Sequence, residues 1–171
     1  TISNLVTDPD GIYLDGTVGY GGHAEAILSH LSSKGKLIAM DLDPYALDAT
    51  QQRLSDSNKS FSLHQGNFRE FPLLLQSLGI DKLTGALFDI GFSSSQIDSG
   101  HRGFSFQAEA PLDMRFNPNA GITARDFLNK SAEKELSAVI KEFGEERYYR
   151  KITKAIFKAV KARKMETTTD L

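Results

Sequence analysis

An α/β fold built on a parallel sheet is predicted by three features of this chain. Four short apolar runs alternate with helix-period segments over roughly the first half of the sequence. The runs end in, or lead into, polar residues: Asp15, Asp41, His64 and Asp89. A glycine-rich turn, Gly16-Thr17-Val18-Gly19-Tyr20-Gly21-Gly22, separates the first run from the first helical segment. Strands alternating with helices read as βαβ units, because parallel neighbours need a crossover that returns the chain to the same end of the sheet.

Each element follows from local chemistry. Ile12-Tyr13-Leu14 is a short buried strand ending at Asp15, and Gly22 to Leu31 is a helix closed by Ser32-Ser33-Lys34-Gly35. Lys36-Leu37-Ile38-Ala39-Met40 is the second strand, ending at Asp41. Pro44 then opens a helix to Leu54, at a first-turn position where its missing N–H costs nothing. Phe61-Ser62-Leu63-His64 alternates as a third strand and leads to Gly66-Asn67-Phe68. Phe71 to Leu78 is a helix, and Leu83 to Phe88 is a fourth strand with Asp89 at its end.

Beyond Asp89 the pattern changes. Residues 90–122 are rich in Gly, Ser, Pro and Asn, a connection too long to be idle in a compact domain. From Thr123 the chain reads as helical. Thr123 caps a helix to Leu128, Ser131 starts a second to Phe143 before Gly144, and a third runs from Glu145 to about Lys164. On that third helix Tyr148, Ile152, Ala155, Ile156, Ala159 and Val160 share one face. The architecture expected is a Rossmann-like core, residues 1–98, interrupted by a loop and helical insertion, residues 99–171. Thr167 with Asp170 resembles a capping box that opens a further helix. The chain therefore reads as a piece of a longer one, with closing strands of the sheet expected beyond Leu171.

Composition excludes several classes. With 40% apolar and 25% charged residues the chain is neither wholly disordered nor membrane-spanning, and no apolar run approaches the roughly 20 residues of a span. Cysteine is absent, which removes disulfides and thiolate metal sites. His64 and His101 lack partners at ligand spacing, so no metal is expected. No basic-then-apolar leader is visible, and a cytoplasmic location is expected. The net charge of −2 hides an asymmetry: residues 147–164 carry eight Lys or Arg and no acid. A solvated helix usually mixes both signs, so Arg147, Arg150, Lys151, Lys154, Lys158 and Lys161 are candidate RNA-phosphate contacts.

In an open parallel sheet, ligands bind beyond the C-terminal strand ends. Three of the four ends here are carboxylates. Asp41 lies 22 residues after Gly19, a spacing suited to a ribose diol, while Asp43 is better placed to cap the helix from Pro44. Phe68 either stacks on an adenine or packs as a core aromatic. Asp15 either holds the amino group of a ligand amino acid or braces turn amides. The turn lacks the G-x-G-x-x-G of a dinucleotide site, and no G-K-[ST] of a P-loop is present. An aspartate ahead of a glycine loop suits the cationic amino-acid end of S-adenosylmethionine better.

The blocks Asp15-Gly16-Thr17 through Gly19-x-Gly21-Gly22-His23, Asp41-x-Asp43-Pro44, Asp89-x-Gly91-x-Ser93-Ser94-x-Gln96-Ile97-Asp98, Arg102-Gly103-Phe104-Ser105-Phe106, Pro111-Leu112-Asp113-Met114-Arg115 and Gly144-Glu145-Glu146-Arg147 occur together and in order. In these the chain resembles the bacterial 16S rRNA cytosine-N4 methyltransferase family, including its mitochondrial relatives. The resemblance implies a Rossmann-like methyltransferase core with an inserted helical domain. It also implies methylation of a decoding-centre cytidine of small-subunit rRNA, in an assembled subunit, with S-adenosylmethionine as donor. By resemblance the cofactor contacts fall on Gly21, Gly22, His23, Asp41, Phe68, Asp89 and Gln96. Other amino-methyltransferases carry an Asp/Asn-Pro-Pro-aromatic block where this chain reads Asp89-Ile90-Gly91-Phe92. Cytosine N4 is a poor nucleophile, and a carboxylate accepting its hydrogens would activate it. Asp89 and Asp113 are the two candidates, with Asp113 alternatively in a local ion pair with Arg115. The rival readings are the same core acting on another RNA or DNA base, and a non-catalytic ribosome-assembly module. The sequence sets no oligomeric state.

Overall fold

The computed structural model describes residues 2–93, 96–97 and 99–171. The chain forms two compact units, residues 1–93 and 94–171, whereas the sequence alone put the boundary after residue 98.

The first unit is built on four strands: β1 (Ile12–Asp15), β2 (Lys36–Asp41), β3 (Ser60–Gln65) and β4 (Gly85–Leu87). All pair in parallel, in the order β3-β2-β1-β4. The helices are α1 (Ile2–Leu5), α2 (Gly22–His30), α3 (Pro44–Arg53) and α4 (Phe71–Ser77). Side chains alternate across the sheet and fill two cores. Tyr13, Leu37 and Ala39 face one way, against Ala24, Ile27 and Leu28 of α2 and Leu54 after α3. Leu14, Ile38 and Met40 face the other, against Phe71, Leu74 and Leu75 of α4. Burial on both faces explains why β2 reads as an unbroken apolar run.

Caps set the helix boundaries. Asp43 accepts from the Tyr45 N–H at 3.1 Å and caps α3, as its position before Pro44 predicts. The fourth strand is shorter than its apolar run: only residues 85–87 pair with β1. The short helix α1 carries no sequence signal strong enough to announce it; Ile2 and Leu5 pack against the α2-side core.

The second unit holds α5 (Ala124–Lys130), α6 (Glu133–Glu142) and α7 (Tyr149–Lys161). Thr123 caps α5, accepting from the Asp126 N–H at 3.0 Å. Ser131 does not cap α6 as expected. It ends α5 in an extended conformation, and Ala132 precedes α6 without a side-chain cap. The third helix is shorter than its pattern, because Glu145 and Arg163 take left-handed backbone conformations near its two ends. Its predicted apolar face is also split: Ile156 is buried, Ala159 and Val160 pack against the core, but Tyr148, Ile152 and Ala155 are exposed.

Leu112 anchors this unit, packing with Leu128, Leu136, Ile156 and Met165. Its backbone is tied on two sides, its N–H donating to the Glu166 carbonyl at 3.2 Å and its carbonyl accepting from the Arg125 N–H at 2.8 Å. Thr168 extends the junction, donating from its N–H to the Ala110 carbonyl at 2.8 Å. No helix among the described residues is long and apolar enough to cross a membrane.

Leu112 is 1% exposed, so Leu112→Ala is expected to cost about 3 kcal/mol in urea unfolding. Leu73, 68% exposed on α4, is the control, and Leu73→Ala should stay within about 0.5 kcal/mol of the parent.

Candidate active site

Asp15, Asp41 and Asp89 lie at the C-terminal edge of the sheet. Strands β1 and β4 pair there although two strands separate them in sequence, which makes this the switch in strand order. The glycine loop between β1 and α2 is pinned from the sheet side. The Gly16 N–H donates to Leu87 O and the Val18 N–H to Met40 O, both at 2.9 Å. Asp41 holds the middle of the loop: Oδ2 accepts from the Gly19 N–H at 2.8 Å and Oδ1 from the Asp43 N–H at 2.9 Å. Burial still raises its pKa above the ordinary carboxylate value, those two amides opposing.

Gly21 precedes α2 with φ of +81°, a left-handed conformation that glycine adopts without strain. No side chain caps α2, so its first N–H groups are left for another acceptor. A Cβ added to Gly22 would meet nothing within 4 Å, so the space before the helix is open. Gly16 serves a different end. A Cβ there would lie 2.2 Å from the Phe88 ring, so glycine admits that ring against the loop. Phe88 in turn packs on Phe68 at 5.7 Å and on Phe71 at 5.8 Å between centroids.

Asp15 is wholly buried. Its Oδ1 accepts the Thr17 N–H at 3.2 Å, but Oδ2 has no hydrogen-bond partner. Burial pushes its pKa up to about 6; the Thr17 amide and His23 oppose, while Asp41 and Asp89 add to the rise. Asp89 is held from behind, its N–H donating to Thr17 Oγ1 at 2.7 Å. Its carboxylate is exposed, with Oδ2 lying 3.9 Å from His23 Nδ1.

The first unit therefore brings together Gly21, Gly22, His23, Asp41 and Asp89. Phe68 joins them through Phe88 as part of an aromatic cluster and is half-buried. Gln96 belongs to the second unit and is buried; Ser94 and Asp98 of the same block lie outside the described residues. Thr17, Thr50 and Phe88 also shape the site and were not read from the sequence. Thr50, on α3, donates its hydroxyl to the Gly19 carbonyl at 2.8 Å. Its signal is a polar residue on the inward side of a helix. Thr17 stands in the Asp15-Gly16-Thr17 block, whereas for Phe88 the only signal is adjacency to Asp89.

In the second unit Asp113 is committed to Arg115. Oδ1 accepts from the Arg115 N–H at 3.0 Å and from Nε at 2.9 Å, and Oδ2 from an η nitrogen at 2.6 Å. That guanidinium holds the Asp113 carboxyl below its ordinary range. Arg102 braces the same turn, donating to the carbonyls of Arg115 and Phe116 at 2.9 and 2.8 Å. Arg150, Lys151, Lys154, Lys158 and Lys161 are exposed on α7, whereas Arg147 precedes the helix and stacks over Tyr148 at 4.7 Å. Among the described residues no three His, Asp or Glu converge as metal ligands.

The profile of the MraW methylase family matches residues 1–171. Ribosomal RNA small subunit methyltransferase H of Fusobacterium nucleatum is 43% identical over 171 residues, which cover 100% of this chain and 54% of that protein. The proteins of the same name from Caldicellulosiruptor bescii and Pseudoalteromonas atlantica are 43% and 45% identical, each match covering 100% of this chain and 55% of the relative. The chain thus spans about half the length of these curated relatives.

The buried Asp15 predicts a pH signature. Its folded pKa exceeds its unfolded one, so between about pH 4 and pH 6 the folded state binds more protons. Stability falls as pH rises through that window and stays low above it. Asp15→Asn should flatten that decline and raise stability at pH 7 by on the order of 2–3 kcal/mol. Urea unfolding at stepped pH checks this, and equal slopes in parent and variant would refute it.

Proposed function

The chain belongs to the MraW methylase family, and on that premise we propose that it acts in S-adenosylmethionine-dependent methylation of a cytidine N4 in the decoding centre of small-subunit rRNA. The substrate in this reading is an assembled small subunit, and the setting is the cytoplasm. The observation that carries the proposal is an uncompensated carboxylate, Asp15, set behind a glycine loop with open space before Gly22.

The residues suit this cofactor on two counts. An orphaned buried carboxylate favours a cation in front of the loop, and S-adenosylmethionine carries cationic groups. The uncapped N–H groups of α2 and the missing Cβ of Gly22 leave a cradle in which backbone can approach a ligand closely. Asp41 would accept from ribose hydroxyls with the lone pairs its two amides leave free. Phe68 would border the adenine with the aromatic cluster behind it. His23 completes the contacts proposed for the donor within the first unit, and Gln96 is proposed from the resemblance alone.

When bound, S-adenosylmethionine supplies an electrophilic methyl group; this chain's residues prepare the amine that takes it. The N4 lone pair is delocalised into the cytosine ring. A carboxylate that accepts an N4 hydrogen would localise it and take the displaced N4 proton when the methyl passes to N4 from the donor's sulfur, which would leave as the neutral thioether. Asp89 is assigned this role over Asp113. Its carboxylate is exposed with its main chain anchored by Thr17, while both oxygens of Asp113 are engaged by Arg115. Asp113 instead fixes the turn at Arg115.

Transfer of label from radiolabelled donor to small subunits, naked 16S-type rRNA and DNA tests the assignment. Label is expected in the small subunit, and label in DNA alone, or in nothing, would overturn the reading. Asp89→Asn should lower transfer roughly 100-fold with a smaller change in donor affinity. Asp113→Asn should lose activity only as far as it loses stability. A stable, inactive Asp113→Asn beside an active Asp89→Asn would reverse the assignment.

A further inference from the structure

The basic residues of α7 form one stripe along the helix, but two of them line a groove together with a cation from a different helix. A groove of about 410 Å³ between α6 and α7 is lined by Glu133, Lys134 and Ser137 from the first helix and by Arg150, Thr153 and Lys154 from the second. Three cations and one acid therefore face a single concavity. Among the described residues Lys134 and Lys154 form no ion pair, so their charges are not spent within the protein. Arg150 lies over the Tyr149 ring at 5.4 Å, a contact that orients the guanidinium and leaves its charge uncancelled. Thr153 is nearly fully buried and donates its hydroxyl to the Tyr149 carbonyl at 2.7 Å, so it forms part of the floor and is not a free donor.

We propose that this groove seats a phosphodiester of the RNA substrate, with Lys134, Arg150 and Lys154 as its ligands; the identity of the RNA rests on the function proposed above. Convergence from two helices distinguishes it from a solvated face. A stripe along one helix spreads its charges over solvent, whereas cations on facing walls concentrate a positive potential where one anion can meet all three. Lysine and arginine supply several N–H donors and no acceptor, which matches phosphate oxygens. Glu133 is the one acid in the lining, so the three cations leave the groove with a net positive charge. Lys134 is the residue the α7 pattern could not contain, because it lies in the first turn of α6.

The test is fluorescence anisotropy of a labelled small-subunit rRNA fragment, titrated with the protein at stepped salt. Each phosphate contact contributes about 0.7–0.9 to the slope of log affinity against log salt concentration. Lys134→Ala should lower that slope, by up to the ~0.7–0.9 that one phosphate contributes, and weaken binding several-fold at any one salt concentration. Lys134→Arg should restore it, and Lys82→Ala, an exposed cation in the first unit, should leave it unchanged. Lys134 is exposed on a helix surface, so the alanine variant keeps its fold. A wild-type slope in Lys134→Ala would overturn the groove. If the wild type also methylates small subunits, the proposed function survives that result. Conversely, a reduced slope in Lys134→Ala from a protein that transfers no methyl group would sustain the groove and sink the enzymatic reading.

Discussion

A carboxylate at the end of a buried strand must find donors or carry the cost of desolvation, and the first unit is organised by how its strand ends meet that demand. Asp41 meets it by taking the Gly19 and Asp43 amides, and in doing so fixes the shape of the glycine loop. Those two bonds act beside the main-chain ties to Leu87 and Met40, the Thr50 hydroxyl and the bonds at Thr17 and Tyr20. Asp15 meets the demand only halfway, through the Thr17 amide. The Thr17 hydroxyl then accepts from the Asp89 amide, so the first and fourth strands share one small residue between their ends. Asp15 thereby keeps an uncompensated desolvation cost that the packing of the rest of the unit has to offset.

Most of this scaffold was legible because it is written locally. The runs at Ile12–Leu14 and Lys36–Met40 are buried on both sides and could only be inner strands. Asp43 before Pro44 and Thr123 before Ala124 announce their helices through short-range hydrogen bonds. The readings that failed were those that depend on distant partners. Ser131 has the chemistry of a cap, yet the chain leaves α5 extended there and Ala132 precedes the next helix. The apolar stripe of α7 is wider than the core that receives it, because only neighbouring helices decide how much of a stripe is covered.

The same division holds at the site. Residue types at strand ends located Asp41 and Asp89, since a parallel sheet gathers its C-terminal ends by construction. Sequence could not weigh Asp89 against Asp113, because the difference is one of prior commitment. Arg115 occupies both oxygens of Asp113, and spacing alone offers a pair without revealing its geometry. Nor could it find Thr50, whose partner lies 31 residues away, or the groove that Lys134 lines together with residues of another helix.

The ladder between residues 110–112 and 166–168 also bears on how such a unit is housed. Pro111 and Thr167 form an antiparallel bridge, and Thr168 bonds back to Ala110 and Ala108. Chain entering α5 and chain leaving α7 therefore run side by side, zipped by backbone. A module closed in this way fixes its own two ends by backbone bonds, so its helices can vary in length or sequence while the ladder that closes it keeps its register.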